Sequence, residues 1–167
     1  DAETAEIAIK AAQTGHLVLS TLHTNSTCET LVRLQQMGVA RWMVSSALSL
    51  VVAQRLVRKL CPHCRRETGS STNVPHSLWP RSLPQWQAPG CQHCYHGYYG
   101  RLALFELLPV NTALRQGITQ GLSAEEIETL ARESGMMTLF ESGCLAVERG
   151  MTSLEEVVRV LGIPHGD

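Results

Sequence analysis

The sequence predicts an α/β fold with an inserted metal-binding segment and a mostly helical C-terminal region. A helical pattern runs directly into an apolar stretch of strand length, two Cys-x-x-Cys pairs enclose a proline-rich stretch, and helical periodicity dominates the last third of the chain. The chain has 167 residues, enough to bury a core. We expect three parts, at residues 1–60, 61–100 and 101–167.

The first helix and strand are expected at the N-terminus. Apolar residues recur at three- and four-residue steps between Asp1 and Gly15, each of which can cap a helix: Ala2, Ala5, Ile9 and Ala12. The run His16–Leu22 follows at once and is apolar with polar flanks. A helix followed by a buried strand is typical of one unit of a parallel sheet.

Two further helices are expected before the first cysteine pair. One ends at Gly38 and has apolar positions at Cys28, Leu31, Leu34 and Met37. The other is expected over residues 40–60, where the stretch from Met43 to Ala53 is apolar on nearly every side, as in a helix that is buried all round. We expect Cys28, like Cys144 later in the chain, to be a small buried apolar residue.

The C-terminal third predicts a strand over Arg101–Pro109 and then helices only. The helical patterns cover residues 112–119, 123–133, 138–149 and 153–161. Thr152 with Glu155 three residues later indicates a capping box for the last helix.

Two cysteine pairs predict a structural zinc site. Cys61-Pro-His-Cys64 and Cys91-Gln-His-Cys94 can each point two thiolates at one ion, and four thiolate ligands leave no position for water. The stretch from Thr68 to Gly90 between them contains four of the seven prolines, and we expect it to be irregular and held by the metal in place of a hydrophobic core. Nearby histidines that could substitute as ligands are His63, His93 and His96, and a redox pair or free thiols are the alternatives.

Polar residues at the ends of the first predicted strand form a second candidate site. Thr21, His23 and Asn25 lie at its carboxyl end, where ligands gather in open parallel sheets, and His16 lies at the other end. Spacing alone favours no catalytic role for His16 or His23, and His16 could be no more than a polar strand flank.

Several functions are disfavoured by what the sequence contains. Net charge is −1, so a nucleic-acid partner is not expected, and the basic residues around the first cysteine pair are expected to be a solvated helix end: Arg55, Arg58, Lys59, Arg65 and Arg66. The stretch from Trp42 to Ala53 is too short and too polar for membrane insertion. Paired cysteines fit a reducing cytoplasm. No Gly-x-x-x-x-Gly-Lys-[Ser/Thr] motif occurs.

Taken together, the motifs resemble the type II secretion and type IV pilus assembly ATPases. The run from Asp1 through Thr14-Gly-His-Leu-Val-Leu-Ser-Thr-Leu-His-Thr-Asn25 is similar to the segment after the Walker B motif and to the His box of that family. The resemblance continues through Ala53-Gln-Arg-Leu-Val-Arg, the cysteine pairs, Gly100-Arg, Phe105-Glu-Leu-Leu and Gly150-Met-Thr-Ser-Leu-Glu-Glu-Val. The sequence departs from the family pattern at Glu141-Ser-Gly and at Leu102.

The resemblance implies a RecA-like P-loop ATPase, of which residues 1–60 would be the C-terminal portion of the core. It implies a cytoplasmic homo-hexamer, peripheral to the inner membrane, that uses ATP and Mg²⁺ and acts on inner-membrane platform proteins. His16 and His23 match the His box and would contact nucleotide phosphates, Thr21 and Asn25 would assist, and the four paired cysteines would hold structural Zn²⁺. Walker A and Walker B would precede Asp1, so we expect an inactive C-terminal piece of a longer protein.

Two other functions compete with this expectation. One is a non-enzymatic module in which a zinc knuckle and helices form a protein-interaction surface. The other is a nucleic-acid-binding zinc ribbon, which the near-neutral charge and the 5% aromatic content oppose.

Overall fold

The computed structural model describes residues 1–22, 24–71 and 74–164. Seven helices and four strands are formed within those ranges. In chain order they are α1 Ala2–Gln13, α2 Thr27–Gln36, α3 Arg41–Ala47, β1 Leu50–Leu60, β2 Arg66–Ser71, β3 Leu83–Gln87, β4 Tyr98–Pro109, α4 Thr112–Gln120, α5 Ala124–Glu133, α6 Leu139–Glu148 and α7 Leu154–Leu161. β1 pairs with β4, and β2 pairs antiparallel with β3. No described helix has the length and hydropathy of a membrane span.

The chain divides into two compact units. Unit 1 contains Asp1–Ala53 and Glu106–Met137, and unit 2 contains Gln54–Phe105 with the residues from Thr138 onward. The division therefore falls within both β1 and β4. The expected boundaries at residues 60 and 100 rest on sequence patterns and not on compactness. This division does not test them, and the three-part assignment stays a prediction.

Unit 1 is a helical cluster whose core is completed by the strand ends. Fully buried side chains come from helices that are far apart in the sequence, among them Leu31 of α2, Val44 of α3 and Ile118 of α4. The expected helices α1 and α2 are confirmed, with Asp1 and Ser26 as their N-caps. Each cap side chain accepts a hydrogen bond from a backbone N–H in the first turn, which satisfies a donor that the helix leaves unpaired.

The prediction of a buried strand over His16–Leu22 is wrong for this chain. These residues have no regular secondary structure, and the side chains of Leu17 and Leu19 are 90% and 86% exposed. The backbone N–H and C=O groups of a buried strand need hydrogen-bond partners in neighbouring strands, and neither of the two described sheets includes this run. Its apolar composition is therefore left in contact with solvent.

The prediction of one helix over residues 40–60 is also wrong. The helix α3 ends at Ala47, and β1 begins at Leu50. Along β1 the buried side chains follow a period of two near the start and include Val51, Ala53 and Val57. Branched valines suit a strand with one buried face, so pairing with β4 prevails over the helical pattern.

The proline-rich stretch is only partly irregular, and its described residues have a core of their own. β2 and β3 form a hairpin within it, and Trp79 and Leu83 are buried against α6 and α7 residues that include Phe140 and Val147. The indole N–H of Trp86 donates to the backbone carbonyl of Val147 at 2.8 Å. The expectation that a metal would replace a hydrophobic core here is therefore wrong, because apolar packing also holds this segment.

The C-terminal helices α4 to α7 and the strand β4 are confirmed, but the cap of α7 is shifted by one residue. Ser153, not Thr152, accepts a hydrogen bond from the first turn, at the N–H of Glu156. The Thr152 hydroxyl instead donates to the backbone carbonyl of Arg58 at 2.8 Å. A long-range contact to β1 thus takes the residue that the local pattern assigned to the cap.

A buried carboxylate ties α7 to β1. The side chain of Glu156 has no exposed surface and accepts hydrogen bonds from the backbone N–H of Arg58 at 3.0 Å and from its guanidinium at 2.8 Å. The guanidinium of Arg159 donates to the same carboxylate at 2.6 Å. Burial raises the pKa of this carboxyl group, but the Arg159 and Arg58 donors lower it by more, from 4.5 to about 2.

Replacing Glu156 by Gln should remove a pH-dependent part of the stability of unit 2. Because the folded pKa is below the ordinary value, the carboxylate stabilises the fold fully above pH 4.5 and loses this effect as the pH falls towards about 2. The difference from the parent chain at neutral pH should be on the order of 2 kcal/mol, since solvent screens the half-exposed guanidinium groups.

Urea denaturation followed by tryptophan emission, repeated between neutral and acid pH, measures this difference. The exposed neighbour Glu155 provides the matched control variant Glu155→Gln on the same helix turn. A difference that stays constant across the acid range would show that the charge of Glu156 is not responsible.

Candidate metal centre

The two cysteine pairs lie at the ends of the paired strands β1 and β4. Cys61 follows the last residue of β1, and three residues separate Cys94 from the start of β4. The backbone N–H of Cys61 donates to the carbonyl of Gly97 at 2.8 Å, which joins the two knuckles directly. Tyr95 and Tyr98 form a bridge around a two-residue turn in which His96 and Gly97 both have positive φ, a conformation that favours glycine.

The four sulfur atoms converge at the spacing of a tetrahedral metal site. All four Sγ atoms lie within 4.8 Å of one another, and the separations are 3.7 Å for Cys61 and Cys91, 3.9 Å for Cys64 and Cys94, and 3.7 Å for Cys91 and Cys94. A Zn–S bond of about 2.3 Å in tetrahedral geometry places sulfurs about 3.8 Å apart. A disulfide would need about 2.0 Å. The donor set therefore fits one tetrahedral Zn²⁺.

Protonation of the cluster also fits a cation site. Burial raises the pKa of the Cys61 thiol, but hydrogen bonds from the backbone N–H groups of His63 and Cys64 lower it by more, to about 7. The pKa of Cys64 is raised, chiefly by burial. Thiols this close cannot all ionise without a positive charge between them, and a divalent metal ion supplies that charge.

The histidines of the knuckles are not part of the sulfur cluster. The metal-ligand group that the described residues form here consists of the four cysteines, and the imidazoles of His63 and His93 stack on each other with ring centroids 4.1 Å apart. The backbone N–H of His93 donates to the sulfur of Cys91 at 3.4 Å. His63 and His93 therefore contribute backbone donors to the thiolates rather than side-chain ligands.

Gly97 lies so close to Ala88, which precedes the second cysteine pair, that only glycine fits there. A Cβ at this position would overlap the carbonyl oxygen of Ala88 and lie 2.8 Å from its methyl group. The residue also has a φ of 94°, which L side chains rarely adopt. Since the Gly97 carbonyl is the acceptor for the N–H of Cys61, any side chain here would displace that hydrogen bond.

The structure describes three of the four residues of the second candidate site. His16 is exposed, and its Nδ1 lies 3.2 Å from the carbonyl oxygen of Ala11 and 3.3 Å from the Thr14 hydroxyl, at the end of α1. Thr21 and Asn25 are exposed, and His23 lies outside the described residues. The structure thus brings the four cysteines together, and the roles of His16, His23, Thr21 and Asn25 stay predictions.

Three of the five basic residues near the first cysteine pair are structural partners rather than parts of a solvated helix end, because β1 is a strand. The guanidinium of Arg58 binds Glu156, and that of Arg55 donates to the carbonyl of Val160 at 3.0 Å. Arg65 donates to the carbonyl of Gly150. The expectation of a helix terminus at this stretch is therefore wrong.

Cys28 and Cys144 are buried, as expected of small apolar residues. Burial raises the pKa of each thiol to about 12, so both are unreactive near neutral pH.

One buried polar residue was not anticipated from the sequence. The carboxylate of Glu106 on β4 is 3% exposed and accepts hydrogen bonds from the backbone N–H of Thr27 at 2.9 Å and from its hydroxyl at 2.6 Å. Its position in the strand could have indicated that it is buried, because Leu104 and Leu108, two residues to either side, are buried on the same face.

Replacing Gly97 by Ala should weaken metal binding by the four cysteines. The clash with Ala88 displaces the acceptor of Cys61, and changes in the groups that orient metal ligands typically cost about 10- to 100-fold in affinity. Competition with a chromophoric chelator measures the affinity for Zn²⁺.

Gly69→Ala is the matched control for this variant, since Gly69 also has positive φ but a Cβ there would meet no heavy atom within 4 Å. Equal affinities for the Gly97→Ala and Gly69→Ala proteins would contradict the role of Gly97.

Comparison with known proteins finds a matching family and close relatives in sequence. The family model described as "Type II/IV secretion system protein" matches residues 1–159. The protein transport protein HofB homolog of Escherichia coli K12 is 71% identical over 167 residues, which is 100% of this chain and 36% of that protein. The type IV pilus assembly ATPase PilB of Pseudomonas aeruginosa is 46% identical over 165 residues, covering 96% of this chain and 29% of that protein.

Solved structures agree with the sequence relatives. The pilus retraction motor PilT with bound ADP has a TM-score of 0.62 and 25% identity, over 95% of this chain and 36% of that one. The Legionella pneumophila ATPase DotB has a TM-score of 0.61 over 94% of this chain and 35% of that one, and at 21% identity it supports the fold alone. The chain has the α/β fold of secretion ATPases and spans about a third of the length of its curated relatives. It belongs to the type II/IV secretion system protein family.

Proposed function

We propose that this chain is the C-terminal part of a motor ATPase that couples ATP hydrolysis to the assembly of pilins or pseudopilins and to protein transport. The observation that carries the proposal is the family match over residues 1–159, which includes both compact units. Relatives of this family include proteins described as pilus assembly ATPases and as type II secretion proteins. A fold shared with a motor that binds ADP also supports it.

The chain alone should hydrolyse no ATP. Phosphoryl transfer depends on a phosphate-binding loop, its lysine and Mg²⁺ for positioning and charge stabilisation, and the sequence contains no such loop. In this proposal ATP and Mg²⁺ are bound by parts of the protein that precede Asp1, within a RecA-like domain that residues 1–60 complete.

The run from His16 to Asn25 is the part of this chain that would contact the nucleotide. His16 and His23 would donate hydrogen bonds to phosphate oxygens, and the polar side chains of Thr21 and Asn25 would assist in binding. The exposure of His16, Thr21 and Asn25 supports this role, because a ligand could reach their side chains.

The cysteine centre has a structural role in this proposal. Cys61, Cys64, Cys91 and Cys94 would hold one Zn²⁺, which supplies cross-linking between the knuckles and no catalysis, since four thiolates complete its coordination. The sulfur separations support this assignment.

The whole protein would act as a cytoplasmic homo-hexamer at the inner membrane. Its partners would be the platform proteins of a secretion or pilus system, without membrane insertion of its own and without a nucleic-acid partner. The membership of the secretion family and the net charge of −1 support these assignments.

Replacing His16 by Ala should lower the ATP turnover of the full-length protein about 100-fold, the typical loss when a group that stabilises developing charge is removed. Steady-state phosphate release measures turnover, and binding of a fluorescent ATP analogue measures affinity. His76→Ala is the matched control, because His76 is an exposed histidine whose Nδ1 lies 3.2 Å from the carbonyl of Pro80 in unit 2.

Turnover of the His16→Ala protein at the level of the His76→Ala protein would exclude a catalytic role for His16. A full-length protein that binds no nucleotide would instead favour the non-enzymatic zinc-stabilised interaction module.

A further inference from the structure

Glu106 forms a contact at the start of α2 that the proposed function does not use. It lies on β4, 79 residues after Thr27 in the sequence, and both residues belong to unit 1. The Thr27 side chain has no exposed surface, and its hydroxyl lies 2.6 Å from the carboxylate, a short distance typical of a hydrogen bond to a charged acceptor. The contact is therefore buried from both sides.

The position of this carboxylate suits a negative charge. Thr27 is the first residue of α2, and its backbone N–H is one of the donors that a helix leaves unpaired at its N-terminus. Ser26 accepts the N–H of Glu29 at 3.1 Å, so Glu106 and Ser26 satisfy different donors of the same turn. The helix dipole favours an anion at this end.

The start of α2 is also the end of the exposed run that contains the candidate phosphate-contacting residues. The hydroxyl of Thr24 lies 2.7 Å from that of Thr30, and the hydroxyl of Thr30 donates to the backbone carbonyl of Ser26 at 3.1 Å. Thr24, which stands between His23 and Asn25 in the sequence, is thus attached to the first turn of α2. A contact that holds the first turn of α2 in place therefore also holds Thr24.

We propose that Glu106 is a positioning residue for nucleotide binding, acting through Thr27 and the first turn of α2 on Thr24 and Asn25. The inference rests on the proposed function, because it assigns those residues to the nucleotide phosphates. Glu106 itself would contact no substrate. It would hold the start of the helix, so that the side chains of Thr24 and Asn25 keep one arrangement.

The test is nucleotide binding by the full-length protein carrying Thr27→Val, Glu106→Gln or Glu106→Leu. Thr27→Val keeps the shape of the side chain but removes the hydroxyl donor, and Glu106→Leu removes the acceptor. Thr27→Val loses one hydrogen bond and should weaken binding of an ATP analogue about tenfold. Glu106→Leu loses both hydrogen bonds and should weaken binding at least as much, whereas Glu106→Gln keeps an acceptor oxygen and should weaken it less. Thr27→Ser restores the hydroxyl and should restore the affinity.

Two comparisons separate positioning from general destabilisation. Glu148→Gln is the matched control: this carboxylate likewise accepts long-range hydrogen bonds, in its case from the side chains of Trp79 and Arg81, but it lies on α6 in unit 2. Its variant should bind ATP like the parent protein. The ratio of ATP to ADP affinity should fall in the Thr27→Val protein if the run contacts the terminal phosphate, whereas loss of folded protein would reduce both affinities equally.

Folded Thr27→Val and Glu106→Leu proteins with parental ATP affinity would overturn the positioning role and leave the proposed function intact. A parent protein that binds no nucleotide would overturn the proposed function and this inference with it. If Glu106→Leu does not fold, Thr27→Val decides the question.

Discussion

The convergence of four sulfur atoms is the constraint on which unit 2 depends. Cys61 follows β1, and the second cysteine pair precedes β4. The cluster therefore joins the ends of these paired strands, and it also joins the two ends of the chain between the cysteine pairs. Closing this segment at one point leaves the β2–β3 hairpin to be fixed by Trp79 and Leu83 in the apolar core. In the proposed function, coordination by the cysteines and apolar packing would together hold this proline-rich segment in one conformation.

Buried glutamates perform a similar task in each unit. In unit 1, Glu106 on a strand accepts hydrogen bonds from the first residue of α2, and in unit 2, Glu156 in the first turn of α7 accepts the backbone N–H of Arg58 on a strand. Both carboxylates join a helix N-terminus to a strand and replace lost hydration with several donors. The same kind of contact can thus hold the candidate nucleotide segment in one unit and the C-terminal helix in the other.

Local signals in the sequence predict the features that depend on neighbouring residues. Caps at Asp1 and the spacing within each cysteine pair follow from short-range chemistry, and both are found in the structure. Features that depend on distant partners could not be predicted in this way. β1 is a strand because β4 pairs with it, the run after His16 is exposed because no described strand pairs with it, and Glu106 is buried because Thr27 meets it across 79 residues.

We treat the four paired cysteines as one closed zinc centre that maintains unit 2. The most direct test is the metal content of the chain, purified without added metal and analysed by native mass spectrometry with elemental analysis. We predict one zinc per chain, retained when the buried Cys28 is changed to Ser and lost when Cys61 is changed to Ser. Metal-free protein in which the β2–β3 hairpin and the knuckles are fully ordered would contradict it.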